Sequence, residues 1–365
     1  MTFTKNRKTA KMAFVSSRRM RLQIGALISL LFLAAPNADA CSRFLYETGE
    51  ATYITGRSMD WKDPNIKPTL WAFPQGMKRD GGTGDKAIQW TSKYGSVVAS
   101  FYDAATVDGI NDKGLAGNTL YLAESEYGDP AKTGKETISV GAWLQYFLDN
   151  YATVDEAVKA MKNAPFTVVA PVLPNGEAAT AHLSISDPSG NSAIFEYLKG
   201  NLVVHHGPQY RVMTNSPTYD QQLALNAYWD LIGGDKMLPG TISAADRFVR
   251  LSYNLKSSPK FKQRNLAVAC AFSLIRAVSV PLGMSDPDRP NISSTLWRTV
   301  ADHEAKRYYF ESAIMPAIFW VDLNKVDLKP GASPQKIAIK QELPLAGEVS
   351  SHFKQTEPFK WLRAR

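Results

Sequence analysis

The stretch "AAPNADACSRFLYETGE", residues 34–50, decides how the rest of the chain is read, because its cysteine stands immediately after Ala38-Asp39-Ala40. Residues 1–21 carry seven Lys/Arg and no acid, and residues 22–35 form an apolar run, LQIGALISLLFLAA. A basic opening, a short apolar middle and small residues at 38 and 40 predict an export leader cut between Ala40 and Cys41. The segment "SSRRMRLQ" holds a paired arginine, but Arg21 interrupts the apolar stretch that a twin-arginine signal prefers, which favours the ordinary secretory route. The apolar run is too short and too early for a membrane span. The expectation is a periplasmic or secreted protein with no stable membrane insertion once the leader is gone.

Removing the leader changes the charge argument. It holds seven of the 42 Lys+Arg and one of the 34 Asp+Glu, so residues 41–365 carry 35 against 33, a formal charge of +2. The +8 of the whole chain therefore gives no reason to expect nucleic-acid binding. The chain is 44% hydrophobic, with no linker, repeat or low-complexity block, and 41–365 reads as a single domain. Of the two cysteines, Cys270 lies in "RNLAVACAFSLIRAV" and reads as a buried residue of a core helix. Cys41 is then left without a disulfide partner.

Two chemistries use a cysteine at a cleavage site. In a lipoprotein it is acylated and tethers a non-catalytic surface protein, but Asp39 fits that signal poorly. No flexible tether follows, because "CSRFLYET" reads as a strand, Gly49-Glu50 as a turn and "TYITGRS" as a second strand. In the other chemistry, cleavage leaves a thiol and a free α-amine on one residue. An α-amine titrates near ~7.7–8.0 and a thiol near ~8.5, so the amine can take the thiol proton at neutral pH. Nucleophile and base then come as one unit, which attacks an acyl carbonyl and returns the proton to the leaving nitrogen.

No histidine is needed for this. His182, His205, His206, His303 and His352 lack metal-ligand spacing and read as sheet or surface residues, and no metal, nucleotide or other cofactor motif occurs. Strand-like runs at 69–73, 94–102 and 114–122 lead to helical segments at 141–151 and 153–163, the second opened by a capping box, Thr153 with Glu156. A meander of "ATAHLSISD", "SAIFEYL", "LVVHH" and "YRVMT" follows, then three helical stretches and strands near 295–301, 306–311 and 317–322. This order is not a βαβ alternation. It predicts an α+β, four-layer αββα fold, two stacked antiparallel sheets between helical layers.

With these segments in place the chain resembles the choloylglycine hydrolase family, which holds bile salt hydrolases and penicillin V acylases among the N-terminal-nucleophile hydrolases. The resemblance rests on "CSRF" at 41–44, "GRSMDW" at 56–61, "GINDKGLAGNTLYL" at 109–122, "RVMTNSPTYDQQL" at 211–223 and "LPGTISAADRFVR" at 238–250. It implies an exported, cofactor-free hydrolase of linear amides, acting on a small-molecule amide through a Cys41 thioester, in a homo-oligomer, often a tetramer. It implies that Arg57 and Asp60 flank the thiol, with Arg57 lowering the thiol pKa. Read alone, these two are a solvated surface pair. It makes the Asn215 side-chain amide, otherwise a turn residue before Pro217, an oxyanion donor, with the backbone N–H at Tyr121 as the second. Arg247, otherwise an exposed helix arginine, is implied to reach the active centre. Bile salt hydrolases carry an "LNFPG"-like motif where this chain has "LYLAE" at 120–124. Trp61, Tyr121 and Leu122 would then form an aromatic substrate wall suited to a phenoxyacetyl group or to the acyl chain of an N-acyl homoserine lactone, with Trp61 as a plain core residue the alternative. A conjugated bile salt hydrolase is the rival within the class.

Overall fold

The computed structural model describes residues 41–365 apart from 64, 65, 67, 174, 175, 177, 235, 285–292, 316, 341–343 and 363–365. The leader expected over Met1–Ala40 lies outside the described residues. Two large sheets form the centre. The seven-stranded sheet runs in the order Val212–Thr214, β1 (Ser42–Glu47), β2 (Tyr53–Trp61), Ser294–Asp302, Arg307–Ser312, Ile318–Asp322 and Gly347–Glu348, antiparallel except at its last pair. The nine-stranded sheet, antiparallel throughout, runs Asn201–His206, Ser192–Leu198, Ala181–Ser186, Ala116–Tyr121, Ala105–Asn111, Ser96–Phe101, Thr69–Phe73, Gln335–Ala338 and Lys354–Gln355.

Helices cover both outer faces. Helix Val140–Asn150 lies on the nine-stranded sheet, and its Trp143, Leu144 and Phe147 join Trp71, Leu183 and Phe195 in one core. Helices Ala244–Ser257 and Arg264–Arg276 lie on the seven-stranded sheet, where Phe248, Ala271 and Phe272 belong to a second core with Phe44, Trp297 and, from the opposite sheet, Ile110 and Leu120. Helix Val154–Met161 opens with Thr153 as its N-cap, as the sequence predicts, but the return arm of the capping box lands one residue earlier than expected. The Thr153 hydroxyl accepts from the Glu156 N–H, and the Glu156 carboxylate accepts from the Ala152 N–H at 2.8 Å.

The meander is shorter than the sequence predicts. Its first three strands are neighbours, but Val212–Thr214 leaves them and pairs with β1 in the other sheet, Thr214 opposite Ser42 and Val212 opposite Phe44. Alternation shows which face of a strand is apolar and not which strand lies beside it. Cys270 also differs from its reading: it is half-buried, packed against the rim of the core.

β1 and β2 approach closely through a glycine. A Cβ at Gly56 would stand 2.4 Å from two atoms of the Phe44 ring, which is fully buried. Gly56→Ala is expected to destabilise the fold by about 1–3 kcal/mol through overpacking. A thermal midpoint that does not fall would contradict this packing.

Candidate active site

Cys41 stands at the entrance of β1, 4% exposed, and its neighbours arrive from three directions. From β2, the Asp60 backbone N–H points at Sγ at 3.5 Å, Sγ lies 3.6 Å from the Asp60 carbonyl oxygen, and the Arg57 guanidinium brings Nη2 to 3.8 Å. From the turn after Val212–Thr214, the Asn215 carbonyl Oδ1 accepts from the Cys41 N–H. From helix Ala244–Ser257, Arg247 Nη1 donates to the Cys41 carbonyl oxygen at 2.8 Å and to Ser42 Oγ at 2.5 Å.

The two charged residues of β2 are not a surface pair. Arg57 and Asp60 are both buried to 1% exposure or less, because β2 lies in the middle of its sheet with Ser294–Asp302 on its far side. Arg57 pairs through Nη1 with Asp108 of the opposite sheet at 3.2 Å, and Nη2 donates to the Thr119 carbonyl at 3.2 Å. The Asp60 carboxylate accepts from the Thr295 hydroxyl and from Ser58 Oγ at 3.3 Å, with Arg247 Nη1 at 3.8 Å.

Asn215 is held from behind by a residue the sequence reading did not single out. Fully buried Gln222 donates from Nε2 to the carbonyls of Asn215 and Pro217, while its Oε1 accepts from the N–H and hydroxyl of Thr214, both at 3.2 Å. With Oδ1 bound to Cys41 N, Asn215 Nδ2 is a buried donor that has no hydrogen-bond partner among the described residues.

Above the thiol opens a cavity of about 90 Å³, and Cys41, Arg57, Trp61 and Tyr121 all face it. Trp61 packs edge-on against Phe101 at 5.2 Å and donates from Nε1 to the Tyr102 hydroxyl at 3.3 Å. Phe101 and Tyr102 thus complete the aromatic lining, and Leu173 and Val140 also face the cavity. They end the strand read at 94–102, and aromatic residues at a strand end were the available signal. Leu122 is a correction: it is fully buried just past the end of the strand at Tyr121 and is not among the residues that line the cavity. Among the described residues no histidine lines the cavity. His182 pairs with Glu196 at 2.9 Å, and His303, held near 4 by burial, hydrogen-bonds Thr55 and the Gly114 carbonyl.

Arg57 does pull the Cys41 thiol downward, as expected, but it is not the dominant influence. Burial raises the Cys41 thiol above its ordinary value, Asp60 adds to this, and the opposing pull of Arg57 does not overcome it. At neutral pH the thiol therefore keeps its proton until a base removes it. Burial likewise pushes Asp60 up to about 6, against the pull of Arg247 and the Thr295 hydrogen bond.

The geometry can be set beside known proteins. The family model for linear amide C–N hydrolases of the choloylglycine hydrolase family matches residues 41–339. This chain belongs to that family. It is 48% identical, over 98% of its length and 99% of the other's, to a penicillin V acylase of Pectobacterium atrosepticum. It is 26% identical, over 79% of its length and 94% of the other's, to a bile salt hydrolase/transferase of Clostridium perfringens. Among solved structures, a penicillin V acylase from Agrobacterium tumefaciens superposes with a TM-score of 0.82 at 50% identity, covering 88% of this chain and all of that one. The clostridial conjugated bile acid hydrolase superposes at 0.70 with 23% identity, covering 85% of this chain and 98% of that one, which speaks for the shared fold alone. The protein is a choloylglycine-family hydrolase of linear amides with the four-layer αββα architecture.

The Asp60 shift has a checkable sign. The folded carboxyl takes up its proton at about 6 while the unfolded one waits until about 3.8, so folding becomes relatively more favourable as pH falls through this window. Going from pH 8 to pH 5, the native enzyme is expected to gain on the order of 1 kcal/mol of stability relative to Asp60→Asn. Thermal midpoints of both proteins at both pH values check this, and a difference that does not change with pH contradicts it.

Proposed function

We propose that Cys41 is the nucleophile of this amide hydrolase, created when an export leader is removed between Ala40 and Cys41, and that the enzyme works in the periplasm or outside the cell. The observation that carries the reading is the placement of one thiol at the floor of an apolar cavity with a cation at its sulfur and an asparagine amide at its own nitrogen. On this reading, residues 41–365 form one catalytic domain. A homo-oligomer is also proposed, supported by the exposed Tyr228, Leu231 and Ile232 on one face of helix Tyr219–Ile232.

In the mechanism, the freed α-amine of Cys41 accepts the thiol proton, which burial otherwise retains, as sulfur attacks the substrate carbonyl. The carbonyl oxygen becomes an oxyanion and takes hydrogen bonds from Asn215 Nδ2 and the Tyr121 backbone N–H. Arg57 offsets the negative charge that develops on sulfur, and Arg247, through the Cys41 carbonyl and Ser42, keeps the residue from shifting. Asp60 holds the thiol from its backbone and, ionised, favours the protonated amine. The tetrahedral intermediate collapses as the C–N bond breaks and the ammonium proton passes to the leaving nitrogen. Water, deprotonated by the same amine, then cleaves the thioester and restores the thiol.

The acyl group lies against Trp61, Phe101 and Tyr102, so an amide with an aromatic acyl part is the favoured substrate class, with penicillin V as test compound. N-acyl homoserine lactones, whose acyl chains the same apolar wall accommodates, are the second class to try.

The test uses protein verified by mass to begin at Cys41, assayed for amine release from penicillin V, a long-chain N-acyl homoserine lactone and glycocholate. Turnover is expected to favour the first two, and preference for glycocholate would return the assignment to a bile salt hydrolase. Cys41→Ser, and protein that retains Met1–Ala40, are expected to lose nearly all activity. Full activity in either would overturn the mechanism. Asn215→Ala is expected to lower kcat by about 100- to 1000-fold, as removal of one oxyanion donor does elsewhere. A change confined to KM would remove Asn215 from that role.

A further inference from the structure

Asp108 lines no part of the cavity and does not touch Cys41, yet three donors converge on its carboxylate. It lies on strand Ala105–Asn111 of the nine-stranded sheet and is 1% exposed. Arg57 Nη1 reaches Oδ2 at 3.2 Å, the Thr299 hydroxyl donates to the same oxygen at 2.6 Å, and the Tyr308 hydroxyl donates to Oδ1 at 2.6 Å. All three partners belong to the opposite, seven-stranded sheet. Burial and the neighbouring carboxylate hold the Tyr308 hydroxyl well above its ordinary value, so it remains a donor across the working range of pH.

The guanidinium is a rigid planar fork, so fixing one prong sets the direction of the other. Asp108 holds Nη1, and Nη2 is then directed to the Thr119 carbonyl at 3.2 Å and to Cys41 Sγ at 3.8 Å. The carboxylate is itself held by two hydroxyls on a sheet other than its own, which leaves it little freedom to follow a moving arginine. We infer that Asp108 is a positioning residue for amide hydrolysis: it orients Arg57 across the gap between the sheets so that one guanidinium nitrogen faces the sulfur on which negative charge develops. The inference rests on Cys41 as the nucleophile. It concerns no proton or bond transfer at Asp108, only the direction of a neighbouring cation.

Asp108→Asn keeps the size and a carbonyl acceptor for one of the two hydroxyls while removing the charge that holds the fork. On protein beginning at Cys41, the informative readings are kcat and KM for penicillin V, together with the pH profile of Cys41 alkylation by iodoacetamide, located by peptide mapping because Cys270 is a second thiol. A displaced guanidinium is expected to lower kcat by about 10- to 100-fold with KM nearly unchanged. It is also expected to move the alkylation midpoint to higher pH. Direction is decisive here. Loss of the carboxylate charge with Arg57 unmoved would carry the midpoint to lower pH, and a merely structural role would lower the thermal midpoint while leaving both readings alone. Either result overturns the inference. Tyr308→Phe removes one hydrogen bond from Asp108 and keeps the Arg57 pair, so both readings should shift the same way by less. Should Asp108→Asn fail to fold, an unshifted profile in Tyr308→Phe overturns the inference by itself. If alkylating Cys41 in the unaltered enzyme leaves turnover intact, the nucleophile assignment falls. If alkylation abolishes turnover but Asp108→Asn behaves as the native enzyme, this inference alone falls.

Discussion

Both edges of β1 are hydrogen-bonded, and everything at the site depends on that. Ser42 stands opposite Ser58 on one side and opposite Thr214 on the other, so residue 41 is located by two independent registers. A slip of one residue in either register would turn a whole set of side chains to the wrong face. β2 brings Arg57 and Asp60 to the sulfur side, and Val212–Thr214 delivers Asn215 to the nitrogen side. The helix lying on these strands then places Arg247 on the Cys41 carbonyl. All three polar groups of one residue, its thiol, its N–H and its carbonyl, therefore have separate keepers from separate parts of the chain.

The site concentrates charge where water is excluded. Arg57, Asp60 and Arg247 are all buried around a buried thiol, an arrangement that costs desolvation free energy and is weak evidence for stability. What it provides is preorganisation: donors and cations already fixed when charge develops need no reorganisation during the reaction. The same burial has a consequence for the chemistry. It outweighs Arg57 and holds the thiol above its ordinary value, so the proposed attack by sulfur calls for a base. In the mechanism proposed above that base is the freed α-amine of Cys41, and among the described residues no histidine lines the cavity.

Much of this was legible in the sequence, and the gaps have physical reasons. Strands such as Thr69–Phe73 and Ser192–Leu198 and the helices after residue 140 announce themselves by apolar period and capping residues. Strand Ala105–Asn111 does not, since "ATVDGIN" carries an acid and a glycine in its middle. That acid, Asp108, faces an arginine 51 residues away, and no local pattern encodes such a pairing. Gln222 was hidden likewise, an amide on a helix whose value lies in a turn before that helix. The pairing of Val212–Thr214 with β1 needed the three-dimensional partner, not the alternation of the strand. The five candidates Cys41, Arg57, Asp60, Asn215 and Arg247 do meet at one point, although the sequence separates them by up to 206 residues. Trp61 and Tyr121 line the cavity together with Phe101 and Tyr102, whereas Leu122 does not.

The most direct measurement is the location of the acyl group during turnover. Enzyme beginning at Cys41 is mixed with excess penicillin V, quenched in acid within the first turnovers, digested and mapped by mass spectrometry. A phenoxyacetyl thioester is expected on the peptide that starts at Cys41. An acyl group found on any other side chain would contradict it.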